Sequence, residues 1–179
     1  MSQPLPDRGP APVTIRPRRP GEEALIARWQ ADPAVEYWLG HPRRGRYDLM
    51  ERLPHRVWMI ERSGEPIGYL GLYDLDEDDR SAEMQICIGR TDLWGRGIGR
   101  EAIRQMLEQV SADPSVRRIH LRVFADNERA IRCYRAVGFR LEGILSARSS
   151  AEGRAVLLMA RALEGPVDTA GEAALNGSG

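Results

Sequence analysis

The 179-residue chain has no lysine, only two cysteines and no excess of either charge. Its 26 basic residues other than histidine are all arginine and are matched by 26 Asp and Glu, for a formal net charge of zero. Each shortage excludes something. Without lysine the ATP-binding glycine loop, whose lysine reaches the β and γ phosphates, is ruled out. Balanced charge leaves no global field to attract nucleic acid or an anionic membrane, so neither is an expected partner and charge selectivity must be local. Cys87 and Cys133 are too few and too far apart for a disulfide scaffold, and His41, His55 and His120 have no cysteine or carboxylate at ligand spacing, so no metal is expected. No stretch approaches the roughly 18 consecutive apolar residues of a membrane helix, and the first residues lack an apolar signal core; a cytoplasmic location is expected. No Ser-His-acid or Cys-His signature announces a covalent acyl-enzyme.

What is present fits one α/β domain of ordinary size. Residues 1–12 are proline-rich and are read as a disordered tail, 13–163 as the folded domain and 164–179 as a second disordered tail. Val13 to Arg18 reads as an edge strand carrying Pro17, Gly21 to Ala31 as a short helix interrupted at Pro33, and Arg56 to Glu61 with Pro66 to Tyr73 as a hairpin turning at Ser63-Gly64. The acidic run Asp74 to Asp79 reads as a loop. In Ser81 to Gly89, Ala82, Met84, Ile86 and Ile88 alternate with Glu83, Gln85 and Cys87, which assigns the two sets to opposite faces of a strand. Ile98, Ala102, Met106 and Val110 recur four apart, a helical stripe fit to cover a sheet. Arg118 to Phe124 is the next strand, Asp126 or Asn127 caps a helix that Gly138 can end, and a last hairpin runs from Phe139 to Arg161.

The chain is organised around Asp92 to Phe139. Gly95, Gly97 and Gly99 alternate with larger residues and lead directly into the helical stripe. Such a turn points several N–H groups into one concavity, and the helix start adds its own unpaired donors and positive dipole end, so the segment suits a phosphate or pyrophosphate. The dinucleotide spacing Gly-x-Gly-x-x-Gly is not met.

The runs WGRGIG and ADNERAIRCYRAVGF resemble the two central motifs of the GCN5-related N-acetyltransferase (GNAT) superfamily, with the resemblance covering about Val13 to Arg161. It implies a mixed central sheet flanked by helices and acetyl-CoA as acetyl donor. It also implies a donor site made by Trp94, Arg96, Gly97, Ile98, Gly99 and Arg100 at the pyrophosphate, the strand edge Ile86, Cys87 and Ile88 along the pantetheine arm, and Asn127 and Arg129 on the later helix. Trp94 stands where the family usually has glutamine or arginine. The resemblance further implies Tyr134 as the acid that protonates the leaving thiolate. Tyrosine, with an ordinary pKa of about 10, has the right protonation state. Glu83 is the candidate base, through a raised pKa or a water relay. Gln85 stands where some aminoglycoside 6'-N-acetyltransferases carry an aspartate, and an amide cannot accept the proton.

The acceptor is expected to contact Tyr37, Trp38, Asp74, Asp76, Glu83 and Gln85, with Arg43, Arg44 and Arg46 on the rim. The bland alternatives are a packed aromatic pair and a solvated acidic loop. A small cationic amine such as an aminoglycoside is favoured by the acidic run and by GEPIGY and RAIRCY. A protein N-terminus is favoured by Trp94 and VFADNERAI, which look like the ribosomal-protein acetyltransferases. A noncatalytic acyl-CoA-binding module is the alternative from another class. The protein is expected to act as a monomer or homodimer.

Overall fold

The computed structural model describes residues 11–39, 56–148 and 153–163. The expected rim Arg43, Arg44 and Arg46, together with His41, His55 and most of both expected tails, lies outside these residues. The described residues form β1 (Val13–Pro17), α1 (Glu23–Gln30), α2 (Pro33–Leu39), β2 (Arg56–Arg62), β3 (Glu65–Asp76), β4 (Ser81–Ile88), α3 (Ile98–Ser111), β5 (Arg118–Phe124), α4 (Glu128–Ala136), β6 (Arg140–Leu145) and β7 (Val156–Ala162). The strands make one mixed sheet in the order β1-β2-β3-β4-β5-β7-β6, antiparallel except for the β4–β5 pair.

Alternation along β4 puts its two side-chain sets into two different cores. Ala82 and Met84 enter the larger cluster beneath α3, with Ile86 and Ile88 packed against it, whereas Cys87 enters a smaller one with Ile26, Trp29, Val35, Met59 and Tyr69 beneath α1 and α2. The α3 stripe is buried throughout, and Ile103 and Leu107 widen it. Each large apolar side chain so buried contributes about 2 kcal/mol. Gln105 of α3 also closes the sheet edge: its Nε2 donates to the Val13 carbonyl at 2.8 Å and its Oε1 accepts from the Ile15 N–H at 3.2 Å. Those edge groups would otherwise offer a template for pairing.

Two expectations about local structure are corrected. Pro33 starts α2 instead of merely interrupting a helix, because a first-turn residue needs no N–H and its fixed φ suits the position. The acidic run is not all loop: Asp74, Leu75 and Asp76 continue β3 through a register shift between Tyr73 and Asp76, with Asp74 at φ 51°. The turn itself is held by Asp76 Oδ1, which accepts from the N–H groups of Asp78 and Asp79.

The feature that creates the site is a fork in the sheet. β4 and β5 pair only at Ser81↔Arg118, Ala82↔Ile119 and Glu83↔His120, while β4 stays paired with β3 as far as Ile88. From Met84 onward the β5-facing edge of β4 lines a cleft.

Candidate active site

At the wide end of the fork, a short 3-10 turn (Thr91–Leu93) delivers the chain to Trp94 and the glycines. Gly97 is the N-cap of α3 at φ 77°, a left-handed conformation that a side chain adopts only with strain. It provides no side-chain cap, and the first intrahelical bond runs from the Glu101 N–H to the Gly97 carbonyl. The amides of Ile98, Gly99 and Arg100 are therefore the unpaired first-turn donors of the helix. A Cβ at Gly99 would make only ordinary contacts, 3.7 Å from Cys133 Sγ and from Ile86 Cδ1.

Trp94 packs and bonds at once: its Nε1 donates to the Ile88 carbonyl at 2.8 Å, and the Arg129 guanidinium lies 4.1 Å from its ring centroid. Arg129 is half-buried, and desolvation lowers its pKa. Asn127 is buried at the start of α4, where its Oδ1 accepts from the Ala130 N–H at 3.2 Å. The expected helix cap and the expected cleft residue are thus one side chain.

A single cavity of about 750 Å³ joins these groups to the narrow end of the fork. Its lining includes every expected donor-site residue: Ile86, Cys87, Ile88, Trp94, Arg96, Gly97, Ile98, Gly99, Arg100, Asn127 and Arg129. Tyr134, Glu83, Gln85 and Trp38 line it as well. Tyr134 packs against the larger core, its ring 6.1 Å from that of Phe139, and burial raises its hydroxyl pKa. Cys133 contributes to the same rise and Arg129 opposes it. The thiols are held protonated too, Cys133 pushed up to about 11 and Cys87 to about 12, both chiefly by burial.

Glu83 lies on the other sheet face, where β4 and β5 last pair. Arg122 holds it in a fork, Nε to Oε1 at 2.9 Å and Nη2 to Oε2 at 2.8 Å. Three expected acceptor contacts are not brought to the cavity. Tyr37 is 56% exposed on the outer side of α2, and Asp74 and Asp76 are exposed at the far end of β3, where Asp76 is occupied by its turn. Sequence reasoning did not name Arg122, Gln30, Glu36 or Tyr73, which do line it. The alternation of β5, which puts Arg118, His120 and Arg122 on one face, was the available signal for Arg122. Among the described residues no cluster of three or more His, Cys, Asp or Glu is placed to hold a metal ion, and no helix is long and apolar enough to cross a membrane.

These features are those of one enzyme class, and the chain belongs to the acetyltransferase (GNAT) domain family, whose sequence model matches residues 13–140. It is an acetyltransferase. It is 27% identical over 154 residues to aminoglycoside N(6')-acetyltransferase type 1 of Klebsiella pneumoniae, covering 75% of this chain and 77% of that one. It is 29% identical over 118 residues to spermidine N(1)-acetyltransferase of Escherichia coli (strain K12), covering 62% and 63%. Among solved structures, spermidine N-acetyltransferase from Vibrio cholerae in complex with CoA and spermine superposes with a TM-score of 0.70 at 21% identity, covering 84% of this chain and 95% of that one. An aminoglycoside acetyltransferase in complex with coenzyme A gives 0.69 at 21% identity, with the same coverage.

Proposed function

We propose that the protein transfers acetyl from acetyl-CoA directly to a primary amine of a small polycationic acceptor, a polyamine or an aminoglycoside. The observation that carries this reading is the cleft through the sheet, with Glu83 on one face and Tyr134 on the other. An amine arriving on the Glu83 side attacks while the thiolate departs toward Tyr134, so proton acceptor and proton donor need not compete for one space. The relatives that act on aminoglycosides and on spermidine support a cationic acceptor.

The donor fits the residues present. The uncapped α3 amides and the guanidinium groups of Arg96, Arg100 and Arg129 offer a pyrophosphate both hydrogen bonds and positive charge. The strand edge of β4 offers main-chain groups to an amide-bearing arm, and the cavity is of ligand size. Acetyl-CoA supplies an acyl group on a good leaving thiolate. Trp94 keeps Arg129 aimed into the cleft, and Asn127 fixes the start of the helix that carries Tyr134. Glu83, oriented by Arg122, takes the ammonium proton through a water. Tyr134 remains protonated through the physiological range and gives its proton to the thiolate. Cys133, neutral in the cleft, is no competing nucleophile.

The test is acceptor-dependent release of free CoA from acetyl-CoA, with spermidine, spermine, aminoglycosides and peptides bearing free N-termini, for the wild type and Tyr134→Phe. Polycations should stimulate release, and Tyr134→Phe should lower kcat about 100-fold with both KM values little changed. Stimulation by peptides alone would replace the small acceptor with a protein N-terminus. Measurable acetyl-CoA binding with no stimulation by any acceptor would replace the enzyme with a binding module.

A further inference from the structure

Beyond Glu83 no strand pairing fixes the separation of β4 from β5, so α2, packed on the β4 side, and the end of β5 face each other across an open fork. The Arg154 side chain spans that opening. Arg154, just before β7, donates from Nη1 to the Tyr37 carbonyl at 2.8 Å and from Nη2 to Asp126 Oδ1 at 2.6 Å. Its guanidinium carbon lies 3.8 Å from the Phe124 ring centroid, 4.5 Å from that of Tyr37 and 5.3 Å from that of Trp38. Tyr37 and Trp38 meet edge to face, with centroids 4.8 Å apart.

These contacts answer a specific weakness. α2 has seven residues, Pro33–Leu39, too few to be a stable helix by itself. A guanidinium there satisfies one carbonyl, meets the negative end of the helix dipole and stacks on the aromatic pair. Lysine has neither the planar face nor the fork to do all three. Trp38 and Leu39 line the cavity, whereas Arg154 stands behind them.

We propose that Arg154 is a positioning residue for the acceptor: by clasping α2 to the end of β5 it holds Trp38 and Leu39 as the acceptor-side wall of the cleft. The inference rests on the direct-transfer reading for its kinetic consequence, but its structural half does not. Two measurements on wild type, Arg154→Lys and Arg154→Ala separate the two. In hydrogen exchange without any ligand, both substitutions should speed exchange of residues 33–39 about tenfold while leaving 98–111 unchanged. Unchanged exchange in 33–39 overturns the proposal, as does equal acceleration of both segments. In steady-state assays with spermidine, both variants should raise the acceptor KM about tenfold and leave the acetyl-CoA KM within about twofold. A rise in both KM values, or in neither, overturns it. If the wild type turns over no acceptor, the direct-transfer reading fails and the exchange comparison alone decides. Asp126→Asn, which leaves the aromatic stack intact, should give a smaller shift in the same direction, and no shift in exchange on that variant counts against the clasp.

Discussion

The two ends of the cleft are built in opposite ways. The glycine end is local: Thr91 to Arg100 supplies the turn, the helix start and two guanidinium groups in one unbroken segment, with Arg129 added from α4. The opposite side of the cleft, from the narrow end at Glu83 to the α2 wall across the open fork, is assembled from α2, β4, β5 and the start of β7, and the Arg154–Tyr37 bond closes a separation of 117 residues. A local site is specified by spacing and backbone conformation. A dispersed one depends on register and on side chains that tie separate elements together, so the glycine end should tolerate changes in the rest of the fold that the narrow end does not.

The sharpest difference concerns charge. At the glycine end the cations face the cleft; at the narrow end Arg122 is already committed to Glu83 in a two-bond pair, with Glu83 the more buried partner. A polycationic acceptor arriving there competes with an internal cation for the same carboxylate. Arg122→Gln should therefore lower the KM for spermidine about tenfold while leaving the acetyl-CoA KM unchanged. A raised spermidine KM would show that Arg122 aligns Glu83 more than it competes, and the contrast between the two ends would weaken.

The glycine end is probed by Gly97→Ala. The new methyl has room, its nearest neighbour being Arg100 Nη2 at 3.8 Å, so what changes is the strained left-handed φ. The substitution should cost about 1 kcal/mol of stability and raise the acetyl-CoA KM severalfold as the turn relaxes, with the spermidine KM unmoved. Urea unfolding and the two KM values check it. Matching shifts in both KM values would mean that the ends are mechanically one unit.

The same contrast explains what could be read from the chain. The α3 stripe, the two faces of β4, a cap at Asn127 (one of the two residues expected for it) and the left-handed Gly138 at the end of α4 all follow from periods and spacings within one element. The Glu83–Arg122 pair joins two strands 39 residues apart through a parallel register that no local pattern encodes. Arg154 had no signal at all. Asp74 and Asp76 misled because charge density favours a loop, whereas pairing with β4 and a bulge keep this stretch in the strand with its carboxylates turned to solvent. Residue type indicated a cation-attracting role; in the fold neither Asp74 nor Asp76 is among the residues that line the cleft.

The smallest expected effect is an acid-induced loosening confined to the acceptor side. Glu22, at the start of α1, accepts from Arg16 Nη1 at 2.9 Å and Nη2 at 2.6 Å, while Arg16 also bonds Glu61 on β2. The Arg16 hydrogen bonds, helped by the Arg19 amide and opposed by desolvation, bring the Glu22 pKa down from 4.5 to about 2. A carboxylate whose folded-state pKa is depressed contributes stability that is complete above its ordinary value and lost as pH falls through the folded one. The anchor of α1 to β1 and β2 should therefore weaken between about pH 4.5 and 2. α3 also carries acid-sensitive carboxylates, since hydrogen bonds from Arg104 and Gln105 lower the pKa of Glu101, and Asp113 beyond its end is held at about 2 by Ser115 and Arg56. Yet α3 is seated chiefly by six buried apolar side chains that do not titrate. Hydrogen exchange, corrected for its intrinsic pH dependence, should thus lose protection in 23–30 at higher pH than in 98–111. Simultaneous loss in the two helices would mean that the smaller core beneath α1 and α2 unfolds only with the larger one, and that the acceptor side has no separate stability for a clasp or an ion pair to tune.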